Sequence, residues 1–519
     1  MNLATILSGH DDAATALVTT GGVVTYGELR EDAAAFAAGL RARGVEPGDR
    51  VALVAGNTPL FVVGWLGTLW AGAVAVPLNP SSPAPELEAE LAAVGARVVV
   101  VGRSGLEGLR AVDRPAAGVE TVVAPASVGL DGAHALEDVL DAEPMDAMAR
   151  GDDDLAVLVF TSGTAGAPRA ACLTHGNLRA NLDQAQAHPG RSLRADDVVL
   201  GVLPLFHIFG LNVVLDLSLL AGASVALVER FDPAATAALV AEQEVTVVAG
   251  VPPMWSAWLA APDVDPASFR SVRLAVSGAA RLPTDGAERF RERFGVTIFE
   301  GYGLTEAAPI VAAAAGDEPR PGSIGRPVPG LELRLVDDEG EDALAGDPGE
   351  VWVRGPNVFA GYWQDPEATA AALTADGWLR TGDVAVADDD GWLSLVDRAK
   401  DLVIVSGFNV FPGEVEAALL DHPDVAAAAV VGVDHPQTGE TVEAWVVPAP
   451  GASPDEADVI AFAATRLARY KCPTAVHVVP DLPQGPAGKV LRRALRSPAS
   501  RSGGRSGPAS RSGGRSGPA

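Results

Sequence analysis

The sequence is organised around one stretch, Val159-Phe160-Thr161-Ser162-Gly163-Thr164-Ala165-Gly166-Ala167-Pro168-Arg169. It overlaps the apolar run from Leu155 to Phe160, whose pattern predicts a buried strand. Hydroxyl side chains and two glycines come next. Backbone N–H groups can turn inward at such glycines because no Cβ opposes them. The stretch therefore predicts a strand that ends in an anion-binding loop.

This loop differs from the common phosphate-binding loop, which ends in Gly-Lys-Ser/Thr at the start of a helix. Here Pro168 opposes helix entry, and the cation is Arg169. A plain polar turn after a strand is the simpler alternative, because Ser, Thr and Gly are ordinary turn residues. Motifs elsewhere in the chain decide between the two.

Composition excludes several classes of protein. The length of 519 residues predicts about three domain-sized units, and the net charge of -29 argues against a nucleic-acid partner. Two cysteines, Cys172 and Cys472, lie far apart and match no metal-binding or disulfide spacing. We therefore expect a protein of the reducing cytoplasm.

Two apolar stretches raise the question of a membrane. Residues 60–78 are interrupted by Gly64, Gly67 and Pro77, and residues 198–228 contain His207 and Asp216. These interruptions are typical of buried helix–strand units in a large α/β domain rather than of spanning helices. The first residues show no basic segment before an apolar one, so no secretory signal is expected. We predict no integral membrane segment.

An α/β fold is predicted from the alternation of helical patterns with short β-branched runs. This alternation continues from Thr25 to about residue 320 and indicates two successive αβ blocks with parallel sheets. Over residues 321–396 the apolar residues alternate in and out between turn signals, which predicts a small β-barrel or meander. The large N-terminal domain is expected to span residues 1–396.

A charged segment, 397–401, then interrupts the strands and is predicted to be a hinge. A smaller α+β C-terminal domain is expected over 402–496. The tail over 497–519 repeats Arg, Ser, Gly and Pro without large apolar residues, so we predict that it is disordered.

The loop resembles the Thr-Ser-Gly-Thr-Thr-Gly-x-Pro-Lys-Gly signature of the adenylate-forming enzymes, the superfamily that includes acyl-CoA synthetases and luciferases. Ala165, Arg169 and Ala170 depart from it. The resemblance implies that this loop holds the phosphates of ATP, through Thr161, Ser162, Gly163, Thr164, Gly166 and Arg169.

The reaction that this resemblance implies joins a carboxylate to the α-phosphate of ATP. The acid is already ionised at pH 7, so the chain must supply cations and neutral donors rather than a general base. Residues 300–306 resemble the family's Gly-Tyr-Gly-x-Thr-Glu motif. This implies nucleotide contacts from Gly301, Tyr302, Gly303 and Thr305 and a Mg²⁺ ligand in Glu306.

Further nucleotide contacts are implied at the end of the large domain. Asp383 lies in a Thr-Gly-Asp sequence like the one whose carboxylate takes the ribose hydroxyls in the family. Arg398, in the hinge segment, is expected to touch the ribose and phosphate. Either residue alone is also compatible with an ordinary turn or solvated segment.

Lysine is scarce, which makes its positions informative. Of 38 basic residues only Lys400, Lys471 and Lys489 are lysines. A compact ammonium is kept where its shape matters. By resemblance, Lys400 lies on the hinge, and Lys489 is the catalytic lysine that bridges the carboxylate and the α-phosphate.

The second half-reaction implied by the family is attack of the coenzyme A thiol on the acyl-adenylate. Residues 406–416 resemble the segment that flanks the pantetheine tunnel, with Ser406, Gly407 and Asn409 as contacts. Rotation about the hinge would withdraw Lys489 and bring Gly407 to the site. The basic cluster Arg466, Arg469 and Lys471 either meets coenzyme A phosphates or is a solvated helix face.

The substrate motif, residues 203–210, has the acyl-CoA synthetase form. His207 stands near the position where amino-acid-activating domains carry an Asp, so an amino acid is not expected. The family resemblance makes His207 a catalytic residue beside the substrate carboxylate, although a buried structural histidine is the simpler alternative. Gly278, Ala279 and Ala280 are expected to line both the adenine and the acyl sites and to leave space for a long chain.

The motifs occur in the family's order from about Thr25 to Arg496. We predict an ATP-, Mg²⁺- and coenzyme A-dependent, AMP-forming acyl-CoA synthetase of the fatty acid:CoA ligase branch, acting on a medium- or long-chain acid. Aryl-acid ligases of the coumarate or benzoate type are the alternative within this class. A non-catalytic nucleotide-binding homologue is the alternative outside it, because of the departures in the phosphate loop.

Overall fold

The computed structural model describes residues 1–161, 169–190, 192–279, 282, 284–314, 320, 322–337, 339–347, 349–398, 403–410, 412–483 and 495. At 284, 285, 396–398, 409, 413 and 417 it describes the backbone only. Seven residues of the phosphate loop, and the lysines at 400 and 489, therefore lie outside the described residues.

The first αβ block contains a sheet in the order β7–β6–β5–β3–β4–β8–β9, parallel except that β8 and β9 form an antiparallel pair. Its central strands are buried along their whole length, as expected of a parallel sheet covered on both faces. The elements up to this point are β1 (Thr15–Thr19), β2 (Gly22–Thr25), α1 (Tyr26–Ala42), β3 (Arg50–Val54), α2 (Pro59–Trp70), β4 (Val74–Pro77), α3 (Ala84–Val94), β5 (Val98–Val101), α4 (Leu106–Ala111), β6 (Thr121–Ala124), β7 (His134–Ala135), α5 (Leu136–Leu140), β8 (Leu155–Thr161) and β9 (Arg169–Thr174).

The second block contains a sheet in the order β16–β15–β14–β13–β12–β10–β11–β1–β2. Strands β12, β13 and β14 are parallel neighbours, so their carboxyl ends meet at one edge, where ligands bind in open α/β sheets. Its further elements are α6 (His175–Ala187), β10 (Val198–Gly201), a π-helix (Phe209–Asp216), α7 (Leu217–Ala221), β11 (Ser224–Leu227), α8 (Pro233–Glu242), β12 (Val247–Gly250), α9 (Pro252–Ala260), β13 (Leu274–Ser277), α10 (Thr284–Phe294), β14 (Ile298–Gly303), β15 (Ile310–Ala313) and β16 (Arg326–Pro327).

An antiparallel sheet follows, in the order β17–β18–β19–β20. Its elements are β17 (Glu332–Val336), β18 (Gly349–Arg354), α11 (Pro366–Ala372), β19 (Leu379–Ala387) and β20 (Leu393–Arg398). Two αβ sheets followed by a curled antiparallel sheet confirm the predicted α/β architecture of the large domain.

The small C-terminal domain is α+β, as predicted. Its sheet runs β22–β21–β24–β23, and β25 pairs with β24. Helices α12 and α13 cover it and form a separate apolar core. The elements are β21 (Val403–Val405), β22 (Phe408–Val410), α12 (Pro412–Leu420), β23 (Val425–His435), β24 (Gly439–Pro448), α13 (Glu456–Ala464) and β25 (Ala475–Val478).

Short 3₁₀-helices connect several of these elements. They lie at Leu3–Leu7, Arg103–Gly105, Ala126–Val128, Pro266–Phe269, Thr305–Ala307 and Arg469–Lys471. Of these, Thr305–Ala307 carries Glu306 of the candidate site, and Arg469–Lys471 lies at the boundary between the two domains.

The two apolar stretches fold as predicted from their interruptions. Helix α2 ends at Trp70, and Gly72, with φ of 73°, turns the chain into β4. In the second stretch, β10, the π-helix, α7 and β11 follow one another. Across the described ranges, no helix has the length and apolar character needed to cross a membrane.

The π-helix is held by close backbone packing near its start and by a buried hydrogen bond at its end. Near its start, a Cβ on Gly210 would lie 2.2 Å from the carbonyl oxygen of Pro204, so only glycine fits there. At its end, the indole Nε1 of Trp65 in α2 donates to Asp216 Oδ1 at 2.8 Å. Such π-helical turns occur frequently at functional sites.

Candidate active site

The phosphate-loop stretch begins on β8 and returns on β9, where Thr161 pairs with Arg169. Ser162, Gly163, Thr164 and Gly166 lie outside the described residues, so their predicted phosphate contacts remain predictions. Strand β8 agrees with the expectation drawn from the apolar run before Thr161.

Arg169 is held at the base of this loop. Its Nε donates to Asp365 Oδ2 at 3.0 Å, and its guanidinium carbon lies 5.9 Å from the centre of the Tyr362 ring. Asp365 is also the N-cap of α11, because its Oδ1 accepts from the backbone N–H of Ala368 at 2.8 Å. Asp365 therefore has one oxygen for the helix and one for Arg169.

Tyr302 and Asp383, both predicted to contact the nucleotide, meet across the two sheets. The Tyr302 hydroxyl donates to Asp383 Oδ2 at 2.7 Å. Tyr302 lies on β14 between Gly301 and Gly303. A Cβ on Gly303 would lie 2.1 Å from the carbonyl oxygen of Pro309, which explains the second glycine of the motif. Asp383 pairs in register with Arg398, whose side chain is not described.

Glu306 follows directly in the 3₁₀-helix that begins at Thr305. Its Oε1 accepts from the Tyr362 hydroxyl at 2.7 Å. Burial raises the pKa of Glu306 above its ordinary value, and the Tyr362 hydrogen bond opposes the rise. A bound cation would offset this cost of burying a carboxylate.

Glu306 can be compared with the oxygen ligands that Mg²⁺ usually takes in proteins. Among the described residues, no group of three or more His, Cys, Asp or Glu side chains is placed to hold a metal ion. A single carboxylate fits the usual pattern in which Mg²⁺ is held by one or two protein oxygens and by the phosphates of the substrate. Glu306 would supply that protein oxygen.

Gly278 and Ala279 lie just beyond β13, at the carboxyl edge of the second sheet. Ala279 has a φ of 66°, a left-handed conformation that is uncommon for a residue with a side chain. A Cβ on Gly278 would lie 3.1 Å from Cε1 of Phe209. The Phe209 ring therefore lies directly beside Gly278, and the predicted lining role of Gly278 and Ala279 stays a prediction. Ala280 lies outside the described residues.

His207 stands between the π-helix and the small domain. Its Nδ1 accepts from the backbone N–H of Phe209 at 3.2 Å, which leaves Nε2 as the protonated nitrogen of the neutral ring. Burial lowers the pKa of His207 to about 4, so the ring is neutral at pH 7. The ring is edge-on to Phe408, with centroids 6.1 Å apart.

Gly407 faces the same place from the small domain. Its φ is 86°, and a Cβ added there would lie 3.0 Å from Cγ1 of Val251 and 3.2 Å from Cβ of Ala279. A side chain at this position would therefore collide with the large domain. Ser406 precedes it with φ of 52°, and the side chain of Asn409 is not described. The structure places Gly407 against Val251 and Ala279, and its role in the thiol-transfer step stays a prediction.

Neither of the two alternatives for the basic cluster, a coenzyme A phosphate contact or a solvated helix face, holds for Lys471. This residue is 5% exposed, and its ammonium donates to Glu86 Oε1 at 2.7 Å and to Glu414 Oε1 at 2.8 Å. A coenzyme A phosphate cannot reach it in this arrangement. Arg466 lies beside Asp421, at 3.6 Å, on the exposed surface, which matches the solvated-face alternative.

Sequence reasoning missed three residues of the site, Tyr362, Asp365 and Phe408. Tyr362 and Asp365 belong to a loop after β18 that shares no motif with Glu306 or Arg169, so no local signal marks them. Phe408 was part of a recognised segment, but its ring contacts required the domain arrangement. Lys400 and Lys489 lie outside the described residues.

Comparison with protein families agrees with this geometry. Residues 8–363 match the model of the AMP-binding enzyme family, and residues 414–489 match that of the AMP-binding enzyme C-terminal domain. A feruloyl-CoA synthase of Amycolatopsis sp. is 41% identical over 486 residues, covering 93% of this chain and 95% of its own. A long-chain-fatty-acid–CoA ligase of Bacillus subtilis (strain 168) is 34% identical over 510 residues, covering 93% and 91%.

Solved structures with this fold cover nearly the whole chain. The amide bond synthetase from Marinactinospora thermotolerans matches with TM-score 0.85 at 32% identity, covering 96% of this chain and 99% of its own. A double mutant of o-succinylbenzoate CoA synthetase from Bacillus subtilis, bound with a product analogue, matches with TM-score 0.83 at 28% identity, covering 95% and 98%. ATP-bound MatB from Rhodopseudomonas palustris matches with TM-score 0.71 at 35% identity, also covering 95% and 98%.

Both domains match family models, and the relatives align over almost their full length. Residues of the Gly-Tyr-Gly-x-Thr-Glu-like motif also meet other predicted site residues in space. The chain belongs to the AMP-binding enzyme family, as an AMP-forming acid–CoA ligase.

Proposed function

We propose that this enzyme activates an aryl carboxylic acid of the hydroxycinnamate type with ATP and transfers the acyl group to coenzyme A. The observation that carries the proposal is the Phe209 ring, which lies against Gly278 where a long alkyl chain would need open space. An aromatic wall beside a glycine favours a flat substrate that stacks on the ring. Support also comes from the relative of highest identity given above, a feruloyl-CoA synthase.

The two half-reactions follow from the charges that must be managed. In the first, the carboxylate oxygen of the acid attacks the α-phosphate of ATP, and pyrophosphate leaves. In the second, the thiolate of coenzyme A attacks the acyl carbon of the acyl-adenylate, and AMP leaves. The acid is already ionised at pH 7, and the coenzyme A thiol gives its proton to water before it attacks, so the residues of the chain act mainly by placing and neutralising charge.

Each described site residue has a part in this scheme. Asp383, oriented by Tyr302, would accept hydrogen bonds from the ribose hydroxyls. Arg169, at the base of the phosphate loop, would contact the β- and γ-phosphates of ATP. Glu306 would hold Mg²⁺, which supplies positive charge against the triphosphate when bound. Neutral His207 adds no charge beside the substrate carboxylate and offers Nε2–H as a donor. Lys489 remains the predicted cation of the first step.

An aliphatic acid is the second candidate. It is favoured by the long-chain-fatty-acid–CoA ligase relative and by the apolar character of Val251 and Met254 near the site. In this case the Phe209 ring would have to turn aside to admit the chain. Medium- or long-chain acids therefore stay in the substrate screen.

The test measures acid-dependent pyrophosphate release with ATP and Mg²⁺, followed by thioester formation with coenzyme A. Ferulate, 4-coumarate, benzoate and dodecanoate are compared at equal concentrations, and the catalytic efficiency is determined for each. We expect the two hydroxycinnamates to be preferred by at least about tenfold. A preference for dodecanoate would replace the proposal by the aliphatic alternative, and no pyrophosphate release with any acid would favour a non-catalytic homologue.

A further inference from the structure

A buried ionic cluster joins the two domains next to the site. Lys471, from the small domain, bonds Glu86 of α3 in the large domain and Glu414 of α12 in its own domain. The side chains of all three residues are between 5% and 6% exposed. Glu86 has a second contact with the small domain, because its Oε2 accepts from the backbone N–H of Ala468 at 2.9 Å. Glu86 thus holds the segment 468–471 by both carboxylate oxygens.

This segment is packed directly against the residues that enter the site. The Tyr470 ring stacks on Phe408 with centroids 4.4 Å apart, and Phe408 in turn lies 6.4 Å from the Phe206 ring of the large domain. Phe408 follows Gly407, which lies against Val251 and Ala279. The chain of contacts from Glu86 to Gly407 therefore has one link across the domain boundary and otherwise runs inside the small domain.

The cluster suits one domain arrangement only. Because Lys471 and Gly407 both belong to the small domain, a rotation about the predicted hinge that withdraws Gly407 would also move Lys471 away from Glu86. After such a rotation, the Glu86 carboxylate and the Lys471 ammonium would lose the charge-assisted hydrogen bond between them, which is stronger than a bond between neutral groups.

A third carboxyl group, that of Glu90, lies close to Glu86 and Lys471. Glu90, one turn after Glu86 on α3, is buried, and its Oε2 has no hydrogen-bond partner among the described residues. Burial and the neighbouring Glu86 raise the pKa of Glu90 to about 8, although Lys471 opposes the rise. With Glu90 protonated, Lys471 is shared by two carboxylates rather than three, which keeps its bond to Glu86 short.

We propose that Glu86 is a positioning residue for the second half-reaction: it holds the small domain, through Lys471 and Ala468, in the orientation that presents Gly407 to the acyl-adenylate. Glu86 touches no reacting atom in this scheme. This inference rests on the two-step reaction proposed above, and it predicts that the two steps respond differently to the loss of this carboxylate.

The experiment measures each half-reaction separately in the full-length enzyme. Adenylation is followed as ferulate-dependent pyrophosphate release without coenzyme A. Thiol transfer is followed as feruloyl-CoA formation from supplied feruloyl-adenylate and coenzyme A. For Glu86→Gln, which keeps an acceptor for Ala468 but removes the charge facing Lys471, we expect thiol transfer to slow by about tenfold, as for a lost hydrogen bond to a charged group. Adenylation should stay within about twofold.

The matched control is Glu88→Gln, the same chemical change on the same helix. Glu88 accepts from the backbone N–H of Asp113 within the large domain, so both half-reactions should be unaffected. Glu86→Asp, which keeps the charge but is shorter, should give an intermediate slowing of thiol transfer alone. This variant decides the question if Glu86→Gln does not fold, as judged by thermal unfolding.

Two results would overturn the inference: an equal loss in both half-reactions, or no change in either, in a folded Glu86 variant. If the unmodified enzyme releases no pyrophosphate with ferulate, 4-coumarate, benzoate or dodecanoate, the proposed function itself fails. The two failures are therefore distinguishable in one set of measurements.

Discussion

Replacing Asp216 by Asn should make the stability of the large domain less dependent on pH. Asp216 is fully buried at the end of the π-helix, where Oδ1 accepts from Trp65 and Oδ2 has no partner among the described residues. Burial raises the pKa of Asp216 from 3.8 to about 8, and the Trp65 hydrogen bond opposes the rise only in part. The carboxyl group is therefore protonated at pH 7.

The sign of the pH effect follows from this raised pKa. Between about pH 4 and pH 8 the unfolded chain has lost the proton while the folded chain keeps it, so the free energy of unfolding falls as pH rises. The difference between 3.8 and about 8 corresponds to about 6 kcal/mol at about 1.4 kcal/mol per pH unit, as an upper bound. The part of this free energy of unfolding that is lost between pH 5 and pH 8 is about 4 kcal/mol.

The asparagine side chain of the Asp216→Asn variant has no proton to lose, and its amide oxygen can still accept from Trp65. Its amide nitrogen costs some stability if it finds no acceptor, but that cost is the same at every pH. We therefore expect the difference in free energy of unfolding between Asp216→Asn and the unmodified enzyme to shift in favour of the variant by up to about 4 kcal/mol between pH 5 and pH 8.

The assay is urea unfolding followed by tryptophan fluorescence, at half-unit steps from pH 5 to pH 9. Asp183→Asn, which removes a carboxylate paired with Arg179 on the surface of α6, is the control for losing one acidic group. A difference between Asp216→Asn and the unmodified enzyme that stays constant over the whole pH range would refute the reasoning, because it would show that Asp216 does not change protonation there.

Three further predictions concern catalysis. Lys489→Ala should slow acyl-adenylate formation by about a hundredfold to a thousandfold and leave thioester formation from supplied acyl-adenylate largely intact, as measured by the two half-reaction assays. Arg169→Lys should raise the adenylation rate at low ATP, because a point charge holds pyrophosphate less firmly than a planar guanidinium that also bonds Asp365. An adenylation rate that is lower at every ATP concentration and insensitive to pyrophosphatase would contradict this prediction. Phe209→Ala should shift the preference from ferulate toward dodecanoate, measured as the ratio of the two kcat/KM values, since it empties the space beside Gly278.

The sequence allowed the fold to be predicted well because its signals are local. Apolar β-branched runs placed β3, β4 and β5, and glycine with proline placed the turn after α2. The motif at Gly301 to Glu306 is equally local, and it folds as a strand followed by a 3₁₀-helix.

Contacts between distant segments were not predictable in this way. Tyr362 bonds Glu306 from 56 positions away, and Lys471 bonds Glu86 from 385 positions away. These pairings depend on how sheets and domains pack, which no spacing in the chain records. The Phe209 ring beside Gly278 is a similar case, since the small residue was visible in the sequence but its large neighbour was not.

The scarcity of lysine gains a physical meaning from the one lysine that the structure describes. Lys471 was singled out because a chain with so few lysines was expected to keep them where a compact ammonium matters, and its ammonium contacts two buried carboxylates rather than a phosphate or solvent. An ammonium has three donors in a small volume, and two of them reach carboxylates on opposite domains at 2.7 and 2.8 Å. A guanidinium is larger and planar, so it would separate Glu86 from Glu414 and push the domains apart. Burial alone would lower the pKa of Lys471, but Tyr470, Glu86 and Glu414 raise it well above its ordinary value, so the charge persists inside the domain boundary. The small size of an ammonium, which would suit Lys489 to bridge two anions during adenylation, here suits Lys471 to bridge two domains.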